Sequence, residues 1–129
     1  MLLPPGRERA ELLEIVRISD AARPFGARGL VGDAVEVWAG DEVVQALALV
    51  GELPDGEKAR CFVPGWGLRA YSGDDPDPLF EIAFCFRCNG ARVRGPDVPA
   101  EQRSQDFDGE SPAARELLRR FRECGAGGE

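Results

Sequence analysis

Histidine is absent from this chain of 129 residues, and that absence removes more chemistry than any residue present adds. Without an imidazole, no hydrolase built on a histidine base can be assembled, and no His-ligated zinc, iron or copper site. Lysine is nearly absent too: Lys58 is the one lysine among 16 basic residues, the rest being arginine. Alongside abundant Ala, Gly and Pro, that bias fits a GC-rich coding sequence better than selection for bidentate recognition. Long apolar runs are missing; a stretch such as Ala46–Val50 is far too short to cross a bilayer. No positively charged segment leads into an apolar one at the start, so no secretory signal is expected. The expected setting is cytoplasmic and reducing, bacterial by default, where disulfides are rare. A net charge of −7 speaks against nonspecific binding to phosphate backbones.

What is present suits one globular domain. A hydrophobic content of 43% with 30% charged residues is ordinary, and the length allows a proper core without staples. The expected domain covers residues 7–124. Pro4, Pro5 and Gly6 mark residues 1–6 as a flexible terminus, and the glycine-rich tail marks 125–129 as another.

Period and punctuation assign the elements. Residues 13–19 read as a strand after a short helix or turn, and Asp33–Ala39 as a second strand, with Gly26, Gly29 and Gly32 marking a loop between them. Gly40-Asp41 looks like a helix start with Asp41 as N-cap, and Val43, Ala46, Leu47, Val50 and Leu53 then share one helical face. This gives a central helix over about 41–53. Strands are expected at Ala59–Val63, Gly67–Ser72, Leu79–Arg87 and Ala91–Arg94. Asn89-Gly90 reads as a two-residue hairpin turn, because both of its positions require positive φ. Ser111-Pro112 places an N-cap before a proline at the first helical position. Ala114, Leu117, Leu118, Phe121 and Cys124 follow as an apolar stripe, predicting a helix over about 112–124. The fold class is therefore α+β: an antiparallel sheet of about five to six strands with both helices on one face.

The most informative motif is Cys85-Phe86-Arg87-Cys88-Asn89-Gly90. Cys85 and Cys88 have the spacing that lets one turn supply two thiolates, and Cys61 and Cys124 bring the cysteines to four, the number a tetrahedral zinc site needs. A turn is required, since in an extended strand Cys85 and Cys88 would point to opposite faces. Against a metal, no second Cys-x-x-Cys exists, and Cys124 falls on a helix stripe where a buried thiol packs as a small hydrophobe. A redox dithiol of the thioredoxin type would need a helix N-terminus at the first cysteine, and here a hairpin follows instead.

The segment Cys61-Phe62-Val63-Pro64-Gly65-Trp66-Gly67-Leu68-Arg69, followed by Phe84-Cys85-Phe86-Arg87-Cys88-Asn89, resembles a pattern in a family of small bacterial proteins. There, a Cys-x-x-Pro-x-(His or aromatic)-Gly-hydrophobic-Arg strand precedes a Cys-x-x-Cys-Asn hairpin. The resemblance covers roughly residues 59–124 and implies one α+β domain with a closing helix; it implies no activity. Some members carry histidine where this chain has Trp66, which would complete a Cys-His-Cys-Cys set. Trp66 cannot ligate a metal.

Other motifs are weak. Asp74, Asp75 and Asp77 beside prolines read as a solvated turn, although with Glu81 they leave carboxylate chemistry formally open. The glycines at 26, 29 and 32 match no phosphate-binding loop. Phe62, Tyr71, Phe84 and Phe86 read as core aromatics before base-stacking ones. The expectation is a small, non-catalytic protein-binding domain, a regulatory or immunity-type partner without affinity for nucleic acid or membrane. Trp66 and Arg69 are its candidate contacts. The alternatives are a zinc-stabilised domain using Cys61, Cys85, Cys88 and Cys124, and a thiol-redox enzyme acting through Cys85 and Cys88.

Overall fold

The computed structural model describes residues 1–57 and 62–124. Six strands form one antiparallel sheet: β1 (Leu12–Ile18), β4 (Gly32–Ala39), β5 (Trp66–Tyr71), β6 (Phe80–Cys85), β7 (Gly90–Arg94) and β8 (Ser104–Asp106), in the spatial order β4-β1-β5-β6-β7-β8. A separate two-stranded hairpin pairs β2 (Phe25–Gly26) with β3 (Gly29–Leu30) inside the glycine-marked loop. Among the described residues there are two α-helices, α1 (Asp41–Glu52) between β4 and β5, and α2 (Pro112–Glu123) after β8. The α+β class, the antiparallel sheet and both helices are as the sequence predicts.

Alternation along the strands sorts side chains to two faces. Leu13, Ile15, Leu68, Ala70, Phe80, Ile82, Phe84, Ala91 and Val93 form one core with Val43, Ala46, Leu47 and Val50 of α1 and with Ala114, Leu117 and Phe121 of α2. Phe80, Phe84, Phe107 and Phe121 are fully buried, and burying each contributes about 1.5–3 kcal/mol. Phe121 is the hub: its ring stacks on Trp38 and Trp66, both at 5.8 Å, and tilts against Phe84 at 5.6 Å. On the opposite face a smaller cluster of Val16, Leu30 and Ala83 lies under the β2–β3 hairpin.

Helix ends follow local chemistry. Ser111 caps α2: its Oγ accepts from the Ala114 amide at 3.2 Å, with Pro112 at the first helical position. The start of α1 differs from expectation. Asp41 is already helical, and the N-cap is Gly40, at φ 60°, with no side-chain cap. Glycine takes that conformation without penalty, so Asp41 moves inward to complement the helix dipole instead.

Two further expectations change. The strand over Ala59–Val63 falls mainly outside the described residues, while Phe62 and Val63 belong to no strand. The Asn-Gly turn also shifts frame. Cys85 pairs with Gly90, so the loop is the four residues 86–89; Asn89 alone takes positive φ, at 54°, and Gly90 opens β7. The chain's first residues lie against the core: the Met1 ammonium donates to the Leu53 carbonyl, and Leu2 exchanges hydrogen bonds with the Gln105 side chain.

Candidate functional site

The β6–β7 loop is held by its own residues. Cys88 N–H donates to the Cys85 carbonyl at 3.3 Å, closing the turn, and the two Cα atoms come within 5.1 Å. That separation is inside the range a disulfide spans, and Cys85 and Cys88 are joined by one. The expectation that disulfides are rare here fails at this pair because the turn, by bending the chain, aims both side chains at each other. Asn89 anchors the far end of the loop. Its Oδ1 accepts from the Gly109 amide at 2.8 Å, and its Nδ2 donates to the Glu57 carbonyl at 2.9 Å. Gly109 must be glycine, since a Cβ there would sit 1.9 Å from the Phe86 carbonyl oxygen.

Beside this loop, at the end of the sheet, the segment Val63–Trp66, the hairpin and α2 enclose a cleft of about 440 Å³. Its walls are largely apolar: Val63, Trp66, Phe86, Leu118 and the Cys85–Cys88 disulfide. Arg87 and Arg122 stand exposed at its rim, and among the described residues no carboxylate lines it. The Trp66 ring is half-buried, backed by Phe121 and covered at one side by the Arg17 guanidinium, 5.2 Å from its centroid. Val63, 56% exposed, donates its amide to Cys88 Sγ at 3.4 Å, tying the segment before β5 to the disulfide.

Cys124 does not join this pair. Cys124 packs at the end of α2, its thiol donating to Glu36 of β4 and to the Arg120 carbonyl, while β4 lies three places across the sheet from β6. Burial, reinforced by the Glu36 carboxylate, pushes the Cys124 pKa up to about 12, so the group is an inert, protonated thiol. Cys61 lies outside the described residues. Among the described residues no group of three or more Cys, Asp or Glu is placed to hold a metal ion.

Trp66 and Arg69 lie on opposite faces of β5, and the structure does not bring them together. Arg69 points away from the helices, where its Nε donates to Glu81 Oε2 at 3.0 Å, another nitrogen to Glu14, and a third to the Leu30 carbonyl at 2.7 Å. Glu81 is buried and also accepts from the Leu30 amide at 2.8 Å. Burial disfavours the Arg69 cation, but Glu14 and Glu81 outweigh it and its pKa is raised. Gly29, at φ 105°, leaves no room for a side chain because Glu81 fills the space. The four groups lock the β2–β3 hairpin onto the sheet. Asp74, Asp75 and Asp77 remain an exposed turn, satisfied locally by Ser72 Oγ and the Asp77 amide.

Sequence reasoning singled out Trp66 and the cysteines of the cleft but not Val63, Leu118, Arg87 or Arg122 as its other walls. One signal was available: Leu118 and Arg122 are four apart on α2, and so share a face beside the core stripe. No helix among the described residues is long and apolar enough to cross a membrane. Comparison with protein-family models, with curated proteins and with solved structures finds no match to this chain.

Proposed function

We propose that the protein is a small binding domain that takes a segment of a partner protein into the cleft beside Trp66. The observation carrying this reading is the contrast between cleft and molecule. In a chain of net charge −7, an apolar cleft is rimmed by Arg87 and Arg122 and, among the described residues, lined by no carboxylate. The occupant that complements it is a peptide segment with a bulky apolar side chain flanked by carboxylates. Trp66 supplies the kind of rigid aromatic contact that concentrates binding energy, and Phe121 fixes its position.

A random-peptide display selection tests this. Wild-type protein is the bait, and Val63→Asp and Arg122→Glu proteins are the counter-selections. Enrichment of acidic segments bearing an aromatic or large aliphatic residue, lost on both variants, is the expected result. Convergence on basic sequences, or recovery that ignores both variants, overturns the reading.

A second reading has its own observation, the Cys85–Cys88 disulfide facing the same cleft. Here the pair oxidises substrate thiols. A substrate thiolate attacks one sulfur, the other leaves as a thiolate, and a second substrate thiol displaces the first as a substrate disulfide. Two thiols become one disulfide while Cys85 and Cys88 take up the two electrons. The Val63 amide stabilises the thiolate that forms on Cys88. Incubation with reduced glutathione should consume thiol in proportion to protein, and Cys88→Ser treated with oxidised glutathione should form a mixed disulfide on Cys85 with release of one glutathione thiol. No thiol consumption by the folded protein removes this reading and leaves the first standing.

A further inference from the structure

The sheet face turned away from the helices carries a second concavity, of about 720 Å³, which the Trp66 cleft does not share. Four arginines line it: Arg28 between β2 and β3, Arg92 and Arg94 on β7, and Arg103 just before β8. All four are exposed, and none forms an ion pair among the described residues. Like charges gathered in this way repel, so their convergence in an acidic protein calls for a counter-charge. The one carboxylate in the lining among the described residues, Glu81, is already engaged by Arg69 and the Leu30 amide.

Two of the arginines are held in place. The Arg92 guanidinium lies 4.3 Å from the centre of the Phe62 ring. Arg94 lies 5.3 Å from that of Phe25 and donates to the Gly26 carbonyl at 2.8 Å. These contacts reduce the freedom lost on binding a ligand. We propose that this groove is a binding site for a compact phosphate-bearing anion, held by Arg28, Arg92, Arg94 and Arg103.

Two magnitudes select that class. At physiological salt a charge is felt over about 8 Å, so the arginines dominate inside the groove. A long polyanion leaving it meets the acidic remainder of the molecule. A single carboxylate offers two oxygens, whereas a phosphate or diphosphate presents enough to engage several guanidinium forks at once.

Calorimetric titration at constant ionic strength tests the site, with pyrophosphate, inorganic phosphate, a nucleoside diphosphate and sulfate as probes. Saturable binding of pyrophosphate, stronger than that of sulfate, is expected. Arg92→Glu should weaken it by about 30-fold, and Arg103→Ala, a milder change at an exposed position, by about 10-fold. Arg115→Glu makes the same charge change on the outer side of α2 and should leave the affinity unaltered. Tighter binding of the nucleoside diphosphate than of pyrophosphate assigns the organic part a share of the recognition; equal binding assigns the phosphates alone. Equal responses to sulfate and pyrophosphate, or a loss in Arg115→Glu matching that in Arg92→Glu, overturn the proposal.

Discussion

Arg69 and Glu81 are register partners on β5 and β6, and their side chains meet at 3.0 Å with the carboxylate almost fully buried. Removing the cation leaves a charge inside the fold with one amide for company. Arg69→Met should therefore cost about 3 kcal/mol in urea unfolding, while a double change, Arg69→Met with Glu81→Met, should recover much of it. A double variant as unstable as the single one would show that the hairpin lock depends on the charges themselves.

Phe121 connects Trp38, Trp66 and Phe84, so its ring organises both the core and the wall of the cleft. Phe121→Ala should destabilise by about 3–5 kcal/mol, whereas Phe121→Leu, which keeps most of the volume, should cost less than half of that. Near-UV circular dichroism of the two tryptophans should weaken in Phe121→Leu even where the fold persists.

The buried thiol of Cys124 gives an alkaline signature. Its pKa is about 12 in the folded chain against an ordinary 9.0, chiefly through burial. The unfolded state then releases the proton first, so this contribution to stability is complete below about pH 9 and is lost as pH rises toward 12. Urea midpoints measured from pH 8 to pH 11 should fall less in Cys124→Ala than in the wild type. At pH 8, iodoacetamide should label Cys124 roughly 1000-fold more slowly than an ordinary thiol.

At the acid end, Glu116 is held at about 2 by hydrogen bonds from Arg119 and Arg120, against an ordinary 4.5. The stabilisation it contributes is present above about pH 4.5 and is lost as pH falls toward 2. Because the carboxylate is on the helix surface, the effect should shrink in high salt. Helix content followed by far-UV circular dichroism against pH, in wild type and Glu116→Gln, measures it.

The Cys85–Cys88 disulfide closes a loop of sequence separation 3, so it constrains the unfolded chain weakly. Reduction should lower stability by about 2 kcal/mol or less and leave the fold intact. Arg87 lies between the two cysteines, so tryptic cleavage there should yield peptides that stay joined until a reductant is added. Free peptides from the unreduced protein would contradict the pairing.

Much of this fold was legible because it obeys simple periods. The stripe Val43, Ala46, Leu47 and Val50 identified α1, and Ser111-Pro112 fixed the start of α2 to the residue. β8 was missed because Ser104-Gln105-Asp106 is short and polar, and pairs only because β7 offers it an edge. Asn89-Gly90 signalled a hairpin correctly but in the wrong frame: the turn hydrogen bond belongs to Cys85 and Cys88, which local propensity does not weigh. In the cleft, Trp66 was legible as an aromatic between glycines. Its partner Phe121 is 55 residues away and is found only through packing. Glu81 was read with the aspartates as an open carboxylate. Its burial under the β2–β3 hairpin depends on a non-local approach that no local pattern announces.

Asn89 also has a dynamic consequence. Through it the β6–β7 loop is bonded both to Glu57 and to Gly109, the Phe107 amide donates to its carbonyl, and Asp108 donates onward to Pro54. Three segments far apart in sequence thus share one set of bonds, so opening any one of them strips hydrogen-bond partners from the others. In hydrogen exchange the amides of Phe107, Asp108 and Gly109 should protect and release together as one cooperative unit, and Asn89→Ala should split that unit into independently exchanging loops.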